Sequence, residues 1–275
     1  MIKSLKDFSV SNKRILVRCD FDVPLDEKGN ILDDFRIKQS LPTIKYLIEE
    51  RAKIILMGHL GRPDGKVVPE LKLDKVAQCL SDYIEVPIAK ADDCVGPEIE
   101  NEANNLKSGH ILMLENLRFH KEETENNMDF AKKLSFLADI YVNDAFNVCH
   151  RKNASITGVP QLVQSCAGLL LEKEITTLDG IMNDPEKPMV AIIGGKKVDT
   201  KAKFIDNISK VADCVIVSGL IAKEVAEKIF EKYFSMIKEV KKEWKENTLY
   251  ITLPHVSKEI EKINKVVKEL AKELG

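Results

Sequence analysis

The chain has 275 residues, 44% of them hydrophobic and 31% charged, with a formal net charge of −2 at pH 7. That length allows one large α/β domain or two smaller ones, and the near-zero charge gives no general attraction to nucleic acid or to an anionic membrane. No apolar run reaches membrane-spanning length and the first residues form no signal-peptide core, so a soluble, cytoplasmic protein is expected. The six cysteines, Cys19, Cys79, Cys94, Cys149, Cys166 and Cys214, contain no C-x-x-C pair. They are expected to be buried free thiols without zinc-ligand spacing.

Arg14–Arg18 reads as a strand that runs into Cys19-Asp20-Phe21-Asp22-Val23-Pro24, where Pro24 and a polar segment end it in a loop. Asp33-Asp34-Phe35-Arg36 is expected to open a helix with acids in its first turn. Its apolar stripe is Ile37, Leu41, Ile44, Leu47 and Ile48, and Pro42 predicts a kink or a late start. Ala52–Leu56 is a second strand, ending in Met57-Gly58-His59-Leu60-Gly61-Arg62-Pro63. A helix is expected over Leu73–Ile84, a strand over Ile111–His120, a short helix over Asp129–Leu137 and a strand over Asp139–Phe146. Ala167–Met182 has the period of a long helix, and the Asn183–Pro188 break after it suggests a domain boundary. Met189–Gly195 restarts the rhythm, with a helix through Phe204, Ile205, Ile208 and Val211, a strand over Cys214–Gly219 and a last strand over Thr248–Pro254. Val256–Leu274 reads as a charged amphipathic helix. Alternating strands and helices imply a mostly parallel sheet covered on both faces.

The basic residues are unevenly distributed. All seven arginines lie at or before Arg151, and every later cation is lysine. Arg18, Arg36, Arg62, Arg118 and Arg151, with His59 and His150, fall at strand ends, at a helix start, or in the loops that follow strands. If these ends converge, they form a positive pocket for a small, multiply charged anion, since phosphate and carboxylate both match the guanidinium fork. Each such contact contributes about 1.5–3 kcal/mol. Taken singly, each arginine is more readily a surface salt bridge; five in the same topological position are not. His110, His120 and His255 carry no assigned role. Gly194-Gly195-Lys196-Lys197 with Lys201 is a second candidate: paired glycines at a helix start let phosphate approach free N–H groups, and Lys197 and Lys201 share one helix face. The spacing is not that of a Walker A loop, and a tight turn with a solvated lysine face is the alternative.

Taken together, these segments resemble phosphoglycerate kinase. The matching stretches are Arg18–Pro24, Asp34–Ile37, Gly58–Pro63, Leu114–His120, Val142–Phe146 with His150-Arg151, and Ile193–Gly195 with Lys197 and Lys201. The resemblance implies two Rossmann-like three-layer lobes with mostly parallel sheets, the second truncated, joined by a long helix. The divisions would be residues 1–166, 167–184 and 185–275. It implies reversible phosphoryl transfer between ATP and the carboxylate of 3-phosphoglycerate. Asp20, Asp22, Arg36, His59, Arg62, Arg118 and Arg151 would meet that substrate, and Arg36 and Lys197 would accompany the transferring phosphoryl. Gly194, Gly195, Lys197, Lys201 and Gly219 would meet the nucleotide, which is expected to bring Mg2+. A monomer is expected, or a partner chain that completes the second lobe.

Three substitutions set the chain apart from that family. Asp22 stands where Asn is usual, Asn147-Val148-Cys149 replaces Gly-Thr-Ala, and Ser218-Gly219-Leu220 replaces a glycine run. The family's Trp-Asn-Gly-Pro, Gly-Gly-Gly-Asp and Thr-Gly-Gly-Gly segments, of which the second helps hold magnesium, have no counterpart here. A non-catalytic binder of phosphoglycerate-like anions is therefore the alternative reading.

Overall fold

The computed structural model describes residues 3–194, 202–218, 241–245 and 248–252. Contacts divide the chain into two compact units, Met1–Thr176 and Thr177–Gly275.

The first unit is built on six parallel strands: β1 (Arg14–Arg18), β2 (Lys53–Met57), β3 (Ile88–Lys90), β4 (Ile111–Met113), β5 (Ile140–Asn143) and β6 (Gln164–Ala167). Their spatial order is β3-β4-β2-β1-β5-β6. The central strands are apolar on both faces, and alternate residues enter different cores. Ile15, Val17, Ile54, Leu56, Ile111 and Met113 point to one side. Leu16, Ile55, Met57, Leu112 and Tyr141 point to the other. On the first side lie α1 (Phe35–Glu49), through Ile37, Ile44 and Leu47, and α2 (Asp74–Ser81), through Val76 and Leu80. On the second lie α3 (Pro97–Asn105) and, after the single turn α4 (Lys121–Thr124), α5 (Met128–Ser135), through Ile99, Ala103, Phe130 and Leu134. Both faces of the sheet are thus covered, as the strand–helix alternation predicts.

The helix α6 (Leu169–Asn183) begins at a site prepared by distant residues. Thr43 Oγ1 accepts from the Leu169 N–H (2.9 Å), and Asp144 Oδ1 accepts from Leu170 (3.0 Å) and Leu171 (3.2 Å). These are the orphan donors of a helix N-terminus. Gly168 is required just before them, because a Cβ there would lie 2.2 Å from Asp144 Oδ1.

In the second unit, β7 (Val190–Ile193) pairs in parallel with β8 (Cys214–Val217), and α7 (Ala202–Ile208) connects them. Ile193, Ile205, Ile208 and Val217 form its buried cluster. Strands β9 (Lys241–Lys245) and β10 (Thr248–Thr252) are added antiparallel, in the order β7-β8-β10-β9.

Several elements differ from their sequence expectation. In the four-stranded sheet only the β7–β8 pair is parallel. The strand expected over Ile111–His120 stops at Met113, and Leu117–Phe119 is a 3-10 turn that Asn116 caps. The strand after Asp139 stops at Asn143. Helix α2 ends at Ser81, short of Ile84. The acids expected in the first turn of α1 precede it: Asp34 is the N-cap and Asp33 accepts from the Phe35 N–H (2.7 Å). Pro42 sits inside α1 without dividing it. Strands β3 and β6 and helix α3 lacked a strong periodic signal; β3 is only three residues long and β6 is polar at its start. The helix expected over Val256–Leu274 lies outside the described residues.

Candidate functional site

β1 is flanked by β2 and β5, with Arg18 opposite Met57 on one side and Asn143 on the other. The chain passes from β1 to β2 on one side and returns from β4 to β5 on the other, and this reversal of strand order opens a crevice beyond the strands' carboxyl ends. The loops after β1, β2, β4 and β5 meet there, and they carry Asp20 and Asp22, His59 and Arg62, Arg118, and Arg151.

His59 is 1% exposed. Its Nδ1 accepts from Arg18 Nη2 at 2.9 Å. A guanidinium can only donate, so the ring proton sits on Nε2. Nε2 in turn lies 3.6 Å from Asp22 Oδ2. Burial, together with the charges of Arg18 and Arg118, lowers the imidazole pKa despite the opposing carboxylate, which leaves His59 neutral at pH 7. Asp22 Oδ1 accepts from the Gly61 N–H (2.8 Å). Burial would raise the Asp22 pKa; His59, the Gly61 N–H and Arg118 override it and bring the carboxyl down to about 2.

Gly61 is the pivot of this loop. Its φ is +66°, and a Cβ would meet both Leu71 methyls, at 2.8 and 2.9 Å. Its N–H holds Asp22, and its carbonyl accepts from Arg118 Nη1 (2.6 Å). Arg36 pairs with Asp20 Oδ2. Arg62 is exposed and Arg151 half-buried, and neither has a carboxylate partner among the described residues. Arg118, 6% exposed, feels the repulsion of Arg151, and burial and that charge lower its pKa. Arg118 and Arg151 thus lie close enough to repel, opposed by Asp22 and Glu123, and Arg62 follows Gly61 on the adjoining loop, an arrangement suited to an anion with several oxygens.

Beneath them is a fully paired polar floor. Glu115 accepts from the Leu73 and Asn116 N–H groups (both 2.9 Å) and pairs with Lys90 (2.8 Å). Asn116 is fully buried, with Nδ2 donating to the Leu60 and Leu71 carbonyls and Oδ1 accepting from the Arg118 N–H. This accounts for the Leu-Glu-Asn-Leu-Arg spelling: the acid and amide fasten three loops, and Arg118 emerges from the turn they cap. Glu123, 0% exposed, accepts from the Ser155 N–H (2.9 Å), Ser155 Oγ (2.6 Å) and Asn153 Nδ2 (3.3 Å). Ser155 Oγ then accepts from Arg18 Nε (3.1 Å).

The expected site residues therefore separate. Asp20, Asp22, His59, Arg62, Arg118 and Arg151 lie in the loops at one end of the sheet, and Arg36 lies in the first turn of α1. Arg18, expected among the anion ligands, turns inward to Ser155, the Cys19 carbonyl and His59, and at 1% exposure it orients rather than binds. Cys149, expected to be buried, is exposed. In the second unit Gly194 follows β7, with Ser218 Oγ 3.2 Å from where its Cβ would be; Gly195, Lys197, Lys201 and Gly219 lie outside the described residues. Sequence reading missed Glu123, Ser155, Thr43 and Asp144 as positioning residues. Glu123 sits in an acidic run that looks like solvated helix surface, and nothing in its spacing distinguishes it.

A family model described as phosphoglycerate kinase matches residues 5–272. The chain belongs to the phosphoglycerate kinase family. It is 52% identical over 219 residues to the phosphoglycerate kinase of Moorella thermoacetica, covering 80% of this chain and 56% of that protein. The Aquifex aeolicus phosphoglycerate kinase is 49% identical over 221 residues, covering 80% and 55%. Among solved structures, phosphoglycerate kinase from Coxiella burnetii superposes with a TM-score of 0.70 at 37% identity, covering 82% of this chain and 57% of that one. The Pyrococcus horikoshii OT3 enzyme gives 0.75 at 29% identity, covering 94% and 72%. The chain spans about half the length of the curated relatives it matches. No helix among the described residues is long and apolar enough to cross a membrane.

Proposed function

We propose that the first unit binds 3-phosphoglycerate in the crevice at the carboxyl end of its sheet, and that the chain serves reversible phosphoryl transfer between ATP and the carboxylate of that substrate. The products would be ADP and 1,3-bisphosphoglycerate. The observation that carries the reading is the mutual repulsion of Arg118 and Arg151, with Arg62 on the adjoining loop and a neutral His59 whose Nε2–H faces the same loops. The arginines suit the substrate phosphate. His59 and the Arg36–Asp20 pair suit its hydroxyl and carboxylate end. Phosphoryl transfer depends on positioning and charge neutralisation more than on covalent help, and fixed guanidiniums supply both.

In this reading a carboxylate oxygen attacks the γ-phosphorus while the bond to the ADP oxygen breaks, and Arg36 and Lys197 offset the charge on the transferring group. Gly194, Gly195, Lys197, Lys201 and Gly219 are assigned to the nucleotide. Magnesium would enter with the nucleotide phosphates, and no residue of this chain is assigned to hold it. Calorimetric titration of the full chain with 3-phosphoglycerate and, separately, with Mg-ADP tests the two halves. The expected result is saturable binding of both. Binding of 3-phosphoglycerate alone would leave a non-catalytic binder, and binding of neither would remove the assignment.

A further inference from the structure

Outside the anion crevice, a second group of metal-competent side chains comes together where no sequence spacing announces it. Asp93 and Cys94 lie in the loop between β3 and α3, and His120 ends the 3-10 turn that carries Arg118. One carboxylate oxygen, the thiol sulfur and one imidazole nitrogen all lie within 4.8 Å of one another. His120 Nε2 is already 2.6 Å from Asp93 Oδ1. The Cys94 N–H donates to the same oxygen (2.6 Å), and Cys94 Sγ donates to the Glu115 carbonyl (3.0 Å). The His120 ring is further held against Phe130, centroid to centroid 4.9 Å.

We propose that Asp93, Cys94 and His120 form a binding site for a borderline-soft divalent cation of the zinc class, distinct from the magnesium that accompanies nucleotide. The donor set decides the class: thiolate and imidazole favour zinc and its neighbours, whereas magnesium requires oxygen ligands in an octahedron. Burial decides the geometry. Cys94 is fully buried and forms the floor, while the Asp93 and His120 side chains are 52% and 24% exposed. A cation entering from solvent would meet three protein ligands and keep its fourth position toward water. Tetrahedral bond lengths of about 2.0–2.3 Å place ligand atoms about 3.5 Å apart, so the pocket closes slightly and the His120–Asp93 contact opens. As the sulfur–metal bond forms, the thiol proton leaves to solvent and His120 presents the Nε2 lone pair, its proton on Nδ1. Bound metal would fasten the β3–α3 loop to the turn from which Arg118 projects.

The test uses the full chain, reduced and stripped with chelator, titrated with Zn2+ and with Co2+. One equivalent of tight binding is expected, with a thiolate-to-cobalt absorption band that a large excess of Mg2+ leaves unchanged. Cys94→Ser should abolish the band, and His120→Gln should weaken Zn2+ binding at least tenfold. Cys149→Ser, at the exposed thiol, should change neither. His120→Gln and Asp93→Asn alter partly exposed side chains, so the outcome is readable even if Cys94→Ser does not fold. Binding that survives His120→Gln at full strength, a band lost with Cys149→Ser, or no binding at all would overturn the site.

Discussion

The end of the six-stranded sheet holds two kinds of charge a few residues apart. In the floor, Arg18, Glu115 and Glu123 are buried and their charged atoms are met by donors or acceptors of the protein itself. On the rim, Arg62 and Arg151 have no carboxylate partner among the described residues, and the Arg118 guanidinium donates to the Gly61 carbonyl. Arg18 and Arg62 illustrate the point: one ends β1 and the other lies in the loop after β2, yet the first is consumed by architecture and the second is left for a ligand. Buried charges must be paired to be tolerated, whereas exposed cations keep their binding capacity. Floor substitutions should therefore act on stability, and rim substitutions on anion affinity.

The strongest way to break that division is Glu123→Ala. Three buried donors, from Ser155 and Asn153, would lose their acceptor, at about 1–3 kcal/mol each. We expect a loss of at least about 3 kcal/mol in denaturant unfolding of the first unit. A loss below about 1 kcal/mol would show that the floor is hydrated or dispensable.

Asp144, buried where α6 begins, differs from the floor in that its Oδ2 has no partner among the described residues. Burial, partly opposed by Thr43 and the Leu170 and Leu171 N–H groups, raises its pKa to about 6. A carboxyl raised in the folded state favours folding below its unfolded value near 4, and that contribution disappears as pH rises through about 6. The difference amounts to up to about 3 kcal/mol. Asp144→Asn keeps an acceptor for the start of α6 and cannot ionise. Urea midpoints measured between pH 4 and 7 should lose this downward slope in the variant; an unaltered slope would assign the titration elsewhere.

On the rim, Arg62→Ala should weaken 3-phosphoglycerate binding by about 10- to 100-fold, the equivalent of one charge-assisted contact. The melting temperature should stay within about a degree, because the side chain is exposed and makes no ion pair among the described residues. Equal binding would move the phosphate away from the loop after β2.

What could be read in the sequence followed from local signals. The central strands, α1 and the rim arginines were legible because apolar runs, helical periodicity and strand-end cations are written within a few residues of each other. The Ile111–His120 stretch was misread because its apolar run continues past Met113, while the Asn116 cap that ends the strand acts through tertiary hydrogen bonds to Leu60 and Leu71. The inward turn of Arg18 depends on Ser155, far along the chain, and Glu123 on the same residue from the other side. The antiparallel β9 was hidden in a lysine-rich segment with little alternation, whereas β10 falls within the strand expected over Thr248–Pro254. Partners brought together only by folding leave no local spacing to read.

Asp22 lies on the border between floor and rim, and it sharpens the comparison most finely. Its Oδ1 takes the Gly61 N–H, a positioning contact, while its charge adds a carboxylate to the anion crevice. With the pKa lowered to about 2, that charge is present throughout the physiological range; its stabilising contribution exists above about pH 4 and is lost as pH falls through about 2. Asp22→Asn preserves the acceptor and removes the charge. A half-exposed charge interaction is worth about 0.2–1 kcal/mol, so 3-phosphoglycerate should bind about 2- to 5-fold more tightly, by the same factor from pH 6 to pH 8. Weaker binding would mean that the carboxylate serves the ligand through His59, by holding Nε2–H in place, and that floor and rim are coupled at this residue.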